Sequence, residues 1–328
     1  MPLSPPIEAV VAGHICLDII PAFPAHGAAL EPGKLIKMGP ATISTGGAVS
    51  NTGLALHRLG IKTQLMGKVG DDLIGRAILD FIGPTLAAGM IVAKGETSSY
   101  TVVINPPGID RTFLHCTGAN DTFTAADINA EKLAGARLFH FGYPTLMQRI
   151  YNDGGREMEK IFRQAKAVGL TTSLDMSYPD PKSEAGQVDW PAWLKRVLPH
   201  VDIFLPSLDE MQLMLQTKAA APEIARQLRD WGVKIAGLKM GDKGLYVRWP
   251  DRELHAPCFR VNVAGTTGAG DATIAGFLAG VLRGLPAEET MALAAAVGAC
   301  CCEAPDATSG IRSWDETRQR IQAGWKTL

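Results

Sequence analysis

The stretch GTTGAGD at residues 265–271, followed by the apolar run ATIAGFL at 272–278, decides how this sequence is interpreted. Gly268 and Gly270 carry no side chain, so nearby backbone N–H groups can approach an anion closely. The apolar run predicts a helix, and a helix N-terminus favours negative charge. A carboxylate at Asp271 would repel a resting phosphate, but it suits a base that takes a proton from a hydroxyl attacking phosphorus. The stretch therefore predicts a phosphoryl-transfer site, the alternative being that Asp271 only caps a helix.

Two widespread phosphate-binding motifs are missing from the sequence. No G-x-x-x-x-G-K-[ST] occurs, which excludes a P-loop enzyme. Thr273 stands where a dinucleotide fingerprint would have its third glycine, and the stretch lies near the C-terminal end rather than after the first strand. A dinucleotide-binding site is therefore not expected.

The composition is that of an ordinary globular protein. Of its 328 residues, 46% are hydrophobic and 20% are charged. The formal net charge is -1 and no basic block occurs, which argues against a nucleic-acid partner. No apolar run reaches the roughly 20 residues of a membrane helix, and residues 1–6 lack the pattern of a secretion signal. We therefore expect a cytoplasmic protein that does not bind membranes.

The sequence contains six cysteines, three of them consecutive at residues 300–302. Their spacing forms neither a C-x-x-C pair nor a regular disulfide framework. Buried thiols in a reducing compartment are the simplest interpretation. A metal or redox role for residues 300–302 is the alternative.

The first apolar run, AVVAG at residues 9–13, predicts a buried strand of a parallel sheet. Asp18 follows this strand, and open α/β sheets bind ligands at the carboxyl ends of their strands. Asp18 is thus a candidate to accept hydrogen bonds from substrate hydroxyls. A turn aspartate is an equally good interpretation of this residue taken alone.

A pair of glycines, Gly46 and Gly47, precedes an amphipathic helical pattern that stops at Gly60. Paired glycines before a helix let a ligand approach the backbone closely. Asn51 lies in the first turns of this helix and is within reach of the same ligand. The alternative for Asn51 is an amide on the helix surface.

Residues 21–45 are rich in Pro, Gly and Ala and contain short alternating pieces, while residues 100–105 and 111–115 flank a turn in a hairpin pattern. These segments interrupt a chain that otherwise alternates strand and helix. We predict a small β-rich lid formed by residues 19–45 and 97–118, which would exclude water from a phosphoryl-transfer site.

The rest of the chain alternates predicted strands and helices. Strands are expected at residues 62–69, 138–141, 171–175, 202–205 and 235–240. Helices are expected at residues 73–82, 155–167, 222–231, 269–282 and 288–302. Right-handed crossovers between such units give a mostly parallel sheet covered by helices on both faces. We therefore predict one α/β domain over residues 1–328, with the lid beside its central sheet.

Four segments, in this order, make the chain resemble the ribokinase-like sugar kinases, also called the PfkB carbohydrate kinase family. They are the first strand with Gly13 and Asp18, GGAVSN at 46–51, GKVGDDLIG at 67–75, and TTGAGDA at 266–272, the last being the most specific. The resemblance covers nearly the whole chain. It implies a ribokinase-like fold and a phosphotransferase that acts on an alcohol group, with ATP and magnesium.

The same resemblance implies roles for individual residues. The sugar would be held by Asp18, Gly46, Gly47 and Asn51. The nucleotide site would be lined by Lys239, Gly241 and Gly244. The anion hole for the transferring phosphate would be the backbone of Gly268, Ala269 and Gly270, beside Asp271 as the catalytic base. The resemblance also implies a homodimer joined through the lids.

Two positions depart from the family pattern. The family usually has an Asp that helps to bind an activating monovalent cation where this chain has Gly265, which puts potassium activation in doubt. The family's N-x-x-E motif near magnesium is SLDE at residues 207–210 here. Glu210 is kept as a magnesium residue acting through water, while Ser207 replaces the Asn.

These patterns favour a kinase that phosphorylates a hydroxyl of a small sugar or sugar acid. A nucleoside kinase of the same fold is one alternative, and its base would stack on aromatic side chains near the lid, which include Phe23, Tyr100, Phe113 and Phe141. A non-catalytic sensor that kept the pocket is the other alternative. Arg111 suits a charged acceptor such as a sugar acid, unless it is a solvated residue at the hairpin tip.

Overall fold

The computed structural model describes residues 7–24, 32–108, 111–128 and 130–328 of the chain. The strands, in chain order, are β1 (Ala9–Gly13), β2 (Cys16–Pro21), β3 (Ala41–Gly46), β4 (Thr63–Met66), β5 (Lys68–Gly70), β6 (Ile91–Ala93), β7 (Tyr100–Ile104), β8 (Thr112–Cys116), β9 (Leu138–Gly142), β10 (Thr171–Asp175), β11 (Ile203–Phe204), β12 (Ile235–Lys239), β13 (Leu245–Arg248) and β14 (Glu253–Ala256).

The α-helices follow most of these strands. They are α1 (Ala48–Arg58), α2 (Leu73–Leu86), α3 (Ala130–Leu133), α4 (Gln148–Tyr151), α5 (Arg156–Ala167), α6 (Trp190–Val197), α7 (Leu208–Met214), α8 (Ala221–Asp230), α9 (Ala269–Leu282), α10 (Ala287–Cys301) and α11 (Trp314–Gln322). Within the described ranges, no helix combines the length and apolarity that crossing a bilayer requires.

An eight-stranded sheet runs through the described part of the chain in the order β14-β13-β12-β11-β10-β9-β1-β4. The strands from β12 to β4 are parallel, and β13 and β14 extend the sheet as an antiparallel hairpin. Side chains of β1 alternate between two apolar cores: Val11 belongs to the core that contains residues of α1, α2, α9 and α10, and Val10 to the core that contains residues of α5, α6, α7 and α8. Helices therefore cover both faces of a mostly parallel sheet, which confirms the predicted fold class.

The parallel strands end at one edge of this sheet and place polar residues there. His14 follows β1, Tyr143 follows β9, Asp175 ends β10 and Lys239 ends β12. Asp271 lies in the first turn of α9, whose N-terminus approaches the same edge through the contacts described below. This edge holds the candidate site.

Several predicted boundaries are wrong in an informative way. The predicted strand at 62–69 is two strands, because at Gly67 the chain leaves the main sheet and β5 pairs with β6 instead. The predicted helix at 73–82 runs to Leu86, across a kink where Gly83 is non-helical with φ 75° before Pro84. β14, α6, α7 and α11 have no counterpart in the sequence-based prediction.

A second sheet, with strand order β3-β2-β7-β8, overlaps the segments predicted to form a lid, although β2 begins earlier, at Cys16, and β3 ends at Gly46. Residues 25–31 and 109–110 of those segments lie outside the described residues. Directly paired residues share a face of a sheet, so the register groups side chains into rows. One row is polar and contains Ser44, Asp18, Thr101 and His115. The row on the other face is apolar and contains Ile43, Ile19, Val102 and Leu114.

Candidate active site

Asp271 is buried in the first turn of α9, with 2% of its surface exposed. The helix begins after Gly268, whose left-handed backbone (φ 76°) has no room for a side chain, because a Cβ there would lie 2.4 Å from the Cβ of Ala307. The first N–H groups of a helix have no partner inside the helix. The predicted anion hole at Gly268, Ala269 and Gly270 therefore lies at a helix N-terminus, directly beside Asp271.

Three side chains hydrogen-bond to the Asp271 carboxylate. Its Oδ2 accepts from the Tyr143 hydroxyl at 2.7 Å and from Nδ2 of Asn51 at 3.0 Å, and its Oδ1 accepts a longer contact from the Thr52 hydroxyl at 3.4 Å. Burial raises the pKa of Asp271, and the Lys239 charge and these hydrogen bonds oppose that rise. A carboxylate with a raised pKa is a better proton acceptor than a solvated one.

Lys239 and Asp175 form a buried ion pair next to this carboxylate. Lys239 Nζ lies 2.8 Å from Asp175 Oδ1, and the two residues are 8% and 1% exposed. Burial raises the pKa of Asp175 to about 6, even though Lys239 lowers it. Burial alone would lower the pKa of Lys239, but the carboxylates of Asp175 and Glu210 outweigh it and raise that pKa. A fixed positive charge is thus held among carboxylates at the sheet edge.

The same ammonium reaches the glycine cradle. A Cβ placed on Gly270 would lie 3.4 Å from Lys239 Nζ, so the cation lies beside the start of α9. Gly241 and Gly244 form the turn after β12, with φ 60° and 89°, and a Cβ on Gly244 would overlap the carbonyl oxygen of Ala256. Of the three residues predicted to line the nucleotide site, Lys239 is therefore the one that lies beside the predicted anion hole.

Glu210 lies in the first turn of α7, and its Oε2 accepts the backbone N–H of Ser207 at 2.7 Å. Ser207 and Glu210 cap the helix reciprocally, so the serine that replaces the family's Asn has a structural role. Burial raises the pKa of Glu210 to about 8, although Lys239 opposes the shift.

No cluster of three or more histidine, cysteine, aspartate or glutamate side chains arranged for a metal occurs in the described ranges. Magnesium that arrives with a nucleotide needs only one or two carboxylates, since phosphates and water complete its coordination. Glu210 is buried near Lys239, and a divalent cation that arrives there would favour the charged form of its carboxyl group, which burial disfavours. The residues present therefore fit a magnesium ion bound in that way.

The sugar residues predicted from the sequence lie at two places. Asp18 approaches the predicted glycine pair, because a Cβ on Gly46 would lie 2.2 Å from Asp18 Oδ2. Gly47, with φ 82°, has no room for a side chain beside the carbonyl oxygen of His14. Asn51 instead contacts Asp271, but its Oδ1 is buried and makes no hydrogen bond with any described residue.

Two histidines link the second sheet to the end of β1. His14 Nε2 lies 3.2 Å from His115 Nε2, and His115 Nδ1 lies 3.0 Å from the Thr101 hydroxyl. Burial lowers the pKa of both imidazoles, so both are neutral near pH 7 and only one of the two Nε2 atoms donates. Thr101, His115 and His14 therefore extend the polar row of Asp18 toward Tyr143, whose ring centroid lies 6.3 Å from that of His14.

Arg111 connects the hairpin of the second sheet to the glycine stretch. Its guanidinium donates to the Thr267 hydroxyl and, at 2.9 Å, to the Thr266 hydroxyl. The guanidinium also lies 5.8 Å from the ring centre of Phe113. Arg111 is thus not a solvated residue at a hairpin tip, because it bridges two segments that are 155 residues apart.

Sequence reasoning missed Tyr143, Asp175, His14 and His115. Asp175 had a usable signal, since it ends a predicted strand at the edge where ligands bind. Tyr143 and His14 also follow buried strands, but no motif distinguishes them from turn residues. His115 requires the register of β7 and β8, which the sequence does not provide.

The glycine that replaces the family's cation-binding Asp lies in a crowded place. A Cβ on Gly265 would lie 2.9 Å from the carbonyl oxygen of Ala304 and 3.0 Å from that of Pro305. The backbone therefore fills the space that a carboxylate at this position would need.

Known proteins match this fold and sequence. The family model described as pfkB family carbohydrate kinase matches residues 7–314. An uncharacterized sugar kinase of Archaeoglobus fulgidus is 30% identical over 79% of this chain and 98% of its own. Fructokinase-2 of Oryza sativa subsp. japonica is 25% identical over 83% of this chain and 79% of its own, and 2-dehydro-3-deoxygluconokinase of Thermoproteus tenax is 26% identical over 83% of each.

Solved structures share the fold at lower identity. Ribokinase of Arabidopsis thaliana, complexed with ribose and ATP, has a TM-score of 0.78 and 19% identity over 97% of this chain and 99% of its own. A putative ribokinase II from E. coli, complexed with ATP and Mg²⁺, has a TM-score of 0.74 and 22% identity over 97% and 99%. The Methanocaldococcus jannaschii nucleoside kinase has a TM-score of 0.75 and 19% identity over 98% and 100%.

The family match and the relatives named as sugar kinases define a phosphotransferase with an alcohol group as acceptor. The chain belongs to the pfkB family of carbohydrate kinases, because the family model covers nearly all of it.

Proposed function

We propose that this chain transfers the γ-phosphate of ATP to a hydroxyl of a small sugar or sugar acid, with Asp271 as the general base. The observation that carries the proposal is the placement of Asp271, a buried carboxylate with a raised pKa, one residue after the glycine cradle. A carboxylate so close to an anion-binding helix N-terminus is useful when a proton must be removed as phosphorus is attacked.

Each group at the site has its own role in the proposed phosphoryl transfer. Asp271 accepts the proton of the acceptor hydroxyl, and the backbone N–H groups of Gly268, Ala269 and Gly270 hold the transferring phosphoryl group. Lys239, beside Gly270, offsets negative charge that builds up there. Catalysis is then mainly positioning and electrostatic stabilisation.

The nucleotide and its metal are assigned on the same basis. Gly241 and Gly244 would line the nucleotide site, and Glu210 would hold Mg²⁺ through water. When bound, Mg²⁺ neutralises charge on the phosphates. The complex of the E. coli putative ribokinase II with ATP and Mg²⁺ supports this assignment, since that protein has the same fold.

Asp18, Gly46, Gly47 and Asn51 would hold the acceptor. The polar row of Ser44, Asp18, Thr101 and His115 offers both donors and acceptors, as a polyhydroxylated compound requires. The unpaired Oδ1 of Asn51 supplies one more acceptor next to the base. Relatives named for fructose and for 2-dehydro-3-deoxygluconate support a sugar or a sugar acid, and Arg111 is the cation that would favour the acid.

The second sheet would act as a lid and as a dimer contact. Arg111, His115 and the polar row already connect it to the catalytic edge. Its other face presents the apolar row, in which Ile43 is 39% and Leu114 is 55% exposed. Burying that face against a second copy would remove apolar surface from water, so we propose a homodimer joined through the lids. The cytoplasmic location stays a prediction.

We also propose that turnover needs no potassium. Gly265 supplies no carboxylate, and the carbonyl oxygens of Ala304 and Pro305 occupy the neighbouring space. The expected activity is therefore equal in potassium and in tetramethylammonium buffers.

A nucleoside kinase is the second candidate, because Phe113 is 52% exposed and shares the lid face of His115 and Asp18. Two of the other predicted stacking residues support it less. Phe141 is fully buried in a core, and Tyr100 lies on the opposite face from Asp18.

The deciding experiment is a coupled ADP-release assay with ATP and Mg²⁺ across sugars, sugar acids and nucleosides, with and without potassium. Asp271→Asn is the control, and we expect it to fold normally and to lose activity by about 10²–10⁴-fold. Turnover with nucleosides alone would select the second candidate. Ligand-induced thermal shifts without ADP formation for any compound would favour a sensor. Near-normal turnover by Asp271→Asn would contradict the assignment of the base.

A further inference from the structure

We propose that Tyr143 is a positioning residue for the base: its hydroxyl, together with Asn51, holds Asp271 Oδ2 and leaves Oδ1 as the atom that takes the proton. The inference rests on the proposed function in one respect, namely that Asp271 is the base. It goes further by naming the oxygen that reacts and the residue that fixes it.

The hydrogen bonds distinguish the two carboxylate oxygens. A carboxylate oxygen offers two lone-pair sites, and both sites of Oδ2 are used, by Tyr143 at 2.7 Å and by Asn51 at 3.0 Å. Oδ1 has only a 3.4 Å contact from Thr52 among the described residues, which is longer than a normal hydrogen bond between two oxygens. Oδ1 therefore has the capacity to accept a proton.

The backbone of Tyr143 departs from what its sequence favours. Its φ of 62° and ψ of 47° are left-handed, and Gln216 is the one other non-glycine residue with positive φ in the described ranges. Pro144 follows, and a proline favours extended backbone in the residue before it. Such a conformation persists when the surroundings hold it, and it is commonest at functional sites.

The surroundings of Tyr143 do hold it. Its N–H donates to the carbonyl oxygen of Asp175 at 3.3 Å, and its own carbonyl accepts from the N–H of Leu146 at 3.1 Å. The left-handed turn directs the ring to Asp271, 128 residues away, instead of continuing the direction of β9. The distortion thus has a specific result, a hydrogen bond of normal length to the proposed base.

The hydroxyl remains a donor at every working pH. Burial raises the pKa of Tyr143 well above its ordinary value, and the charges of Asp271 and Asp175 raise it further. The titratable groups that face Asp271 are Tyr143, Lys239, Asp175 and Cys301, and the Cys301 thiol stays neutral because burial raises its pKa to about 12. Removing the hydroxyl removes a donor that favours the carboxylate, so the pKa of Asp271 must rise.

The first test needs no acceptor. The protein is prepared with ¹³C-labelled aspartate carboxyl groups, Asp271→Asn identifies the Asp271 signal, and the pH titration is recorded for wild type and Tyr143→Phe. We expect the pKa of Asp271 to rise by about one unit in Tyr143→Phe. Tyr151→Phe is the matched control, since Tyr151 is also a largely buried tyrosine and its hydroxyl has no described contact with Asp271. An unchanged Asp271 titration in a folded Tyr143→Phe protein overturns the proposal.

The second test uses any acceptor that the wild type phosphorylates. Tyr143→Phe should lower kcat roughly tenfold at pH 7 and leave KM for the acceptor within about twofold. The acidic limb of its pH–rate profile should move to higher pH, because the base is protonated more easily. A raised KM with unchanged kcat would make Tyr143 an acceptor-binding residue and overturn the proposal. If the Asp271 titration shifts in Tyr143→Phe but the wild type phosphorylates no acceptor, the proposed function is refuted. The effect of Tyr143 on Asp271 then still stands.

Discussion

Asn51 Nδ2 donates a hydrogen bond to Asp271 Oδ2 over 3.0 Å, and this bond joins the first turn of α1 to the first turn of α9. The two residues are 220 positions apart in the sequence and are 5% and 2% exposed. The amide favours the charged carboxylate and so lowers a pKa that burial raises. Asn51 therefore acts on the base as well as facing the proposed acceptor site.

Asn51→Asp should damage catalysis more than Asn51→Ala. The aspartate replaces a donor with a second carboxylate, which raises the pKa of Asp271 further, whereas alanine only removes the donor. We expect kcat at pH 7 to fall by at least about tenfold in Asn51→Asp, with partial recovery at higher pH where Asp271 loses its proton. The measurement is kcat against pH for both variants. Equal profiles for the two variants would show that the added carboxylate has no electrostatic effect on the base and would contradict the prediction.

The sequence located Asp271 and its glycines because their chemistry is local. A helix N-terminus, two glycines and a carboxylate occupy a few consecutive positions and need no knowledge of the rest of the chain. The alternation of strands and helices was equally accessible, since buried runs such as β1 and β10 are separated by helical patterns. Local patterns therefore predicted the fold class and the helix N-terminus that carries the proposed base.

The contacts of these residues depend on distances that a sequence does not contain. Asn51 was predicted to hold the sugar, yet its amide bonds to Asp271, because α1 and α9 pack against each other. Lys239 was assigned to the nucleotide site in general, and its pairing with Asp175 depends on β10 and β12 lying on either side of β11 in the sheet. The position of the Tyr143 side chain depends on a left-handed turn that no pattern in the sequence predicts.

Replacing only one partner of the Lys239–Asp175 pair should lower the free energy of unfolding by several kcal/mol. Lys239→Met leaves Asp175 buried without its counter-charge, and such single replacements cost about 3–5 kcal/mol. Lys239→Met/Asp175→Leu removes the uncompensated charge and should recover most of that loss while remaining inactive. The measurement is the free energy of unfolding in urea at pH 7.

An exposed ion pair provides the matched control for that experiment. Arg163 and Glu159 lie 3.5 Å apart on α5, with 67% and 23% of their side chains exposed. Arg163→Met should cost no more than about 0.5 kcal/mol, because solvent screens the pair. A cost of that size for Lys239→Met as well would refute the proposed strength of the buried pair.

His140 predicts how stability depends on pH. It is fully buried in β9, its Nδ1 contacts the Ser173 hydroxyl at 3.0 Å, and burial lowers its pKa from 6.5 to about 3. Between these two values His140 is protonated in the unfolded chain but not in the native state. The free energy of unfolding therefore falls as the pH falls from 6.5 toward 3. The contribution is about 1.4 kcal/mol per pH unit in that window, or about 2 kcal/mol at pH 5.

His140→Gln should flatten that dependence. The informative quantity is the change in unfolding free energy between pH 7 and pH 5, since a constant cost of the substitution cancels in this difference. His57→Gln, at an exposed position of α1, is the control and should keep the wild-type slope. A wild-type slope in His140→Gln would assign the acid sensitivity to other groups.

Two neighbouring glycines should separate stability from catalysis. Gly268→Ala forces a side chain into a left-handed backbone and against Ala307, so it should destabilise the protein by about 1–3 kcal/mol. Gly270→Ala meets only the Lys239 side chain, 3.4 Å away and thus at an ordinary contact distance, and it adds a better helix former to the first turn of α9, so stability should stay within about 1 kcal/mol of wild type. Its methyl group nevertheless enters the proposed phosphate cradle, so KM for ATP should rise or kcat should fall. If Gly270→Ala keeps wild-type kinetics, the phosphate does not lie over this residue. If Gly270→Ala is as unstable as Gly268→Ala, the crowding around the start of α9 extends beyond Ala307.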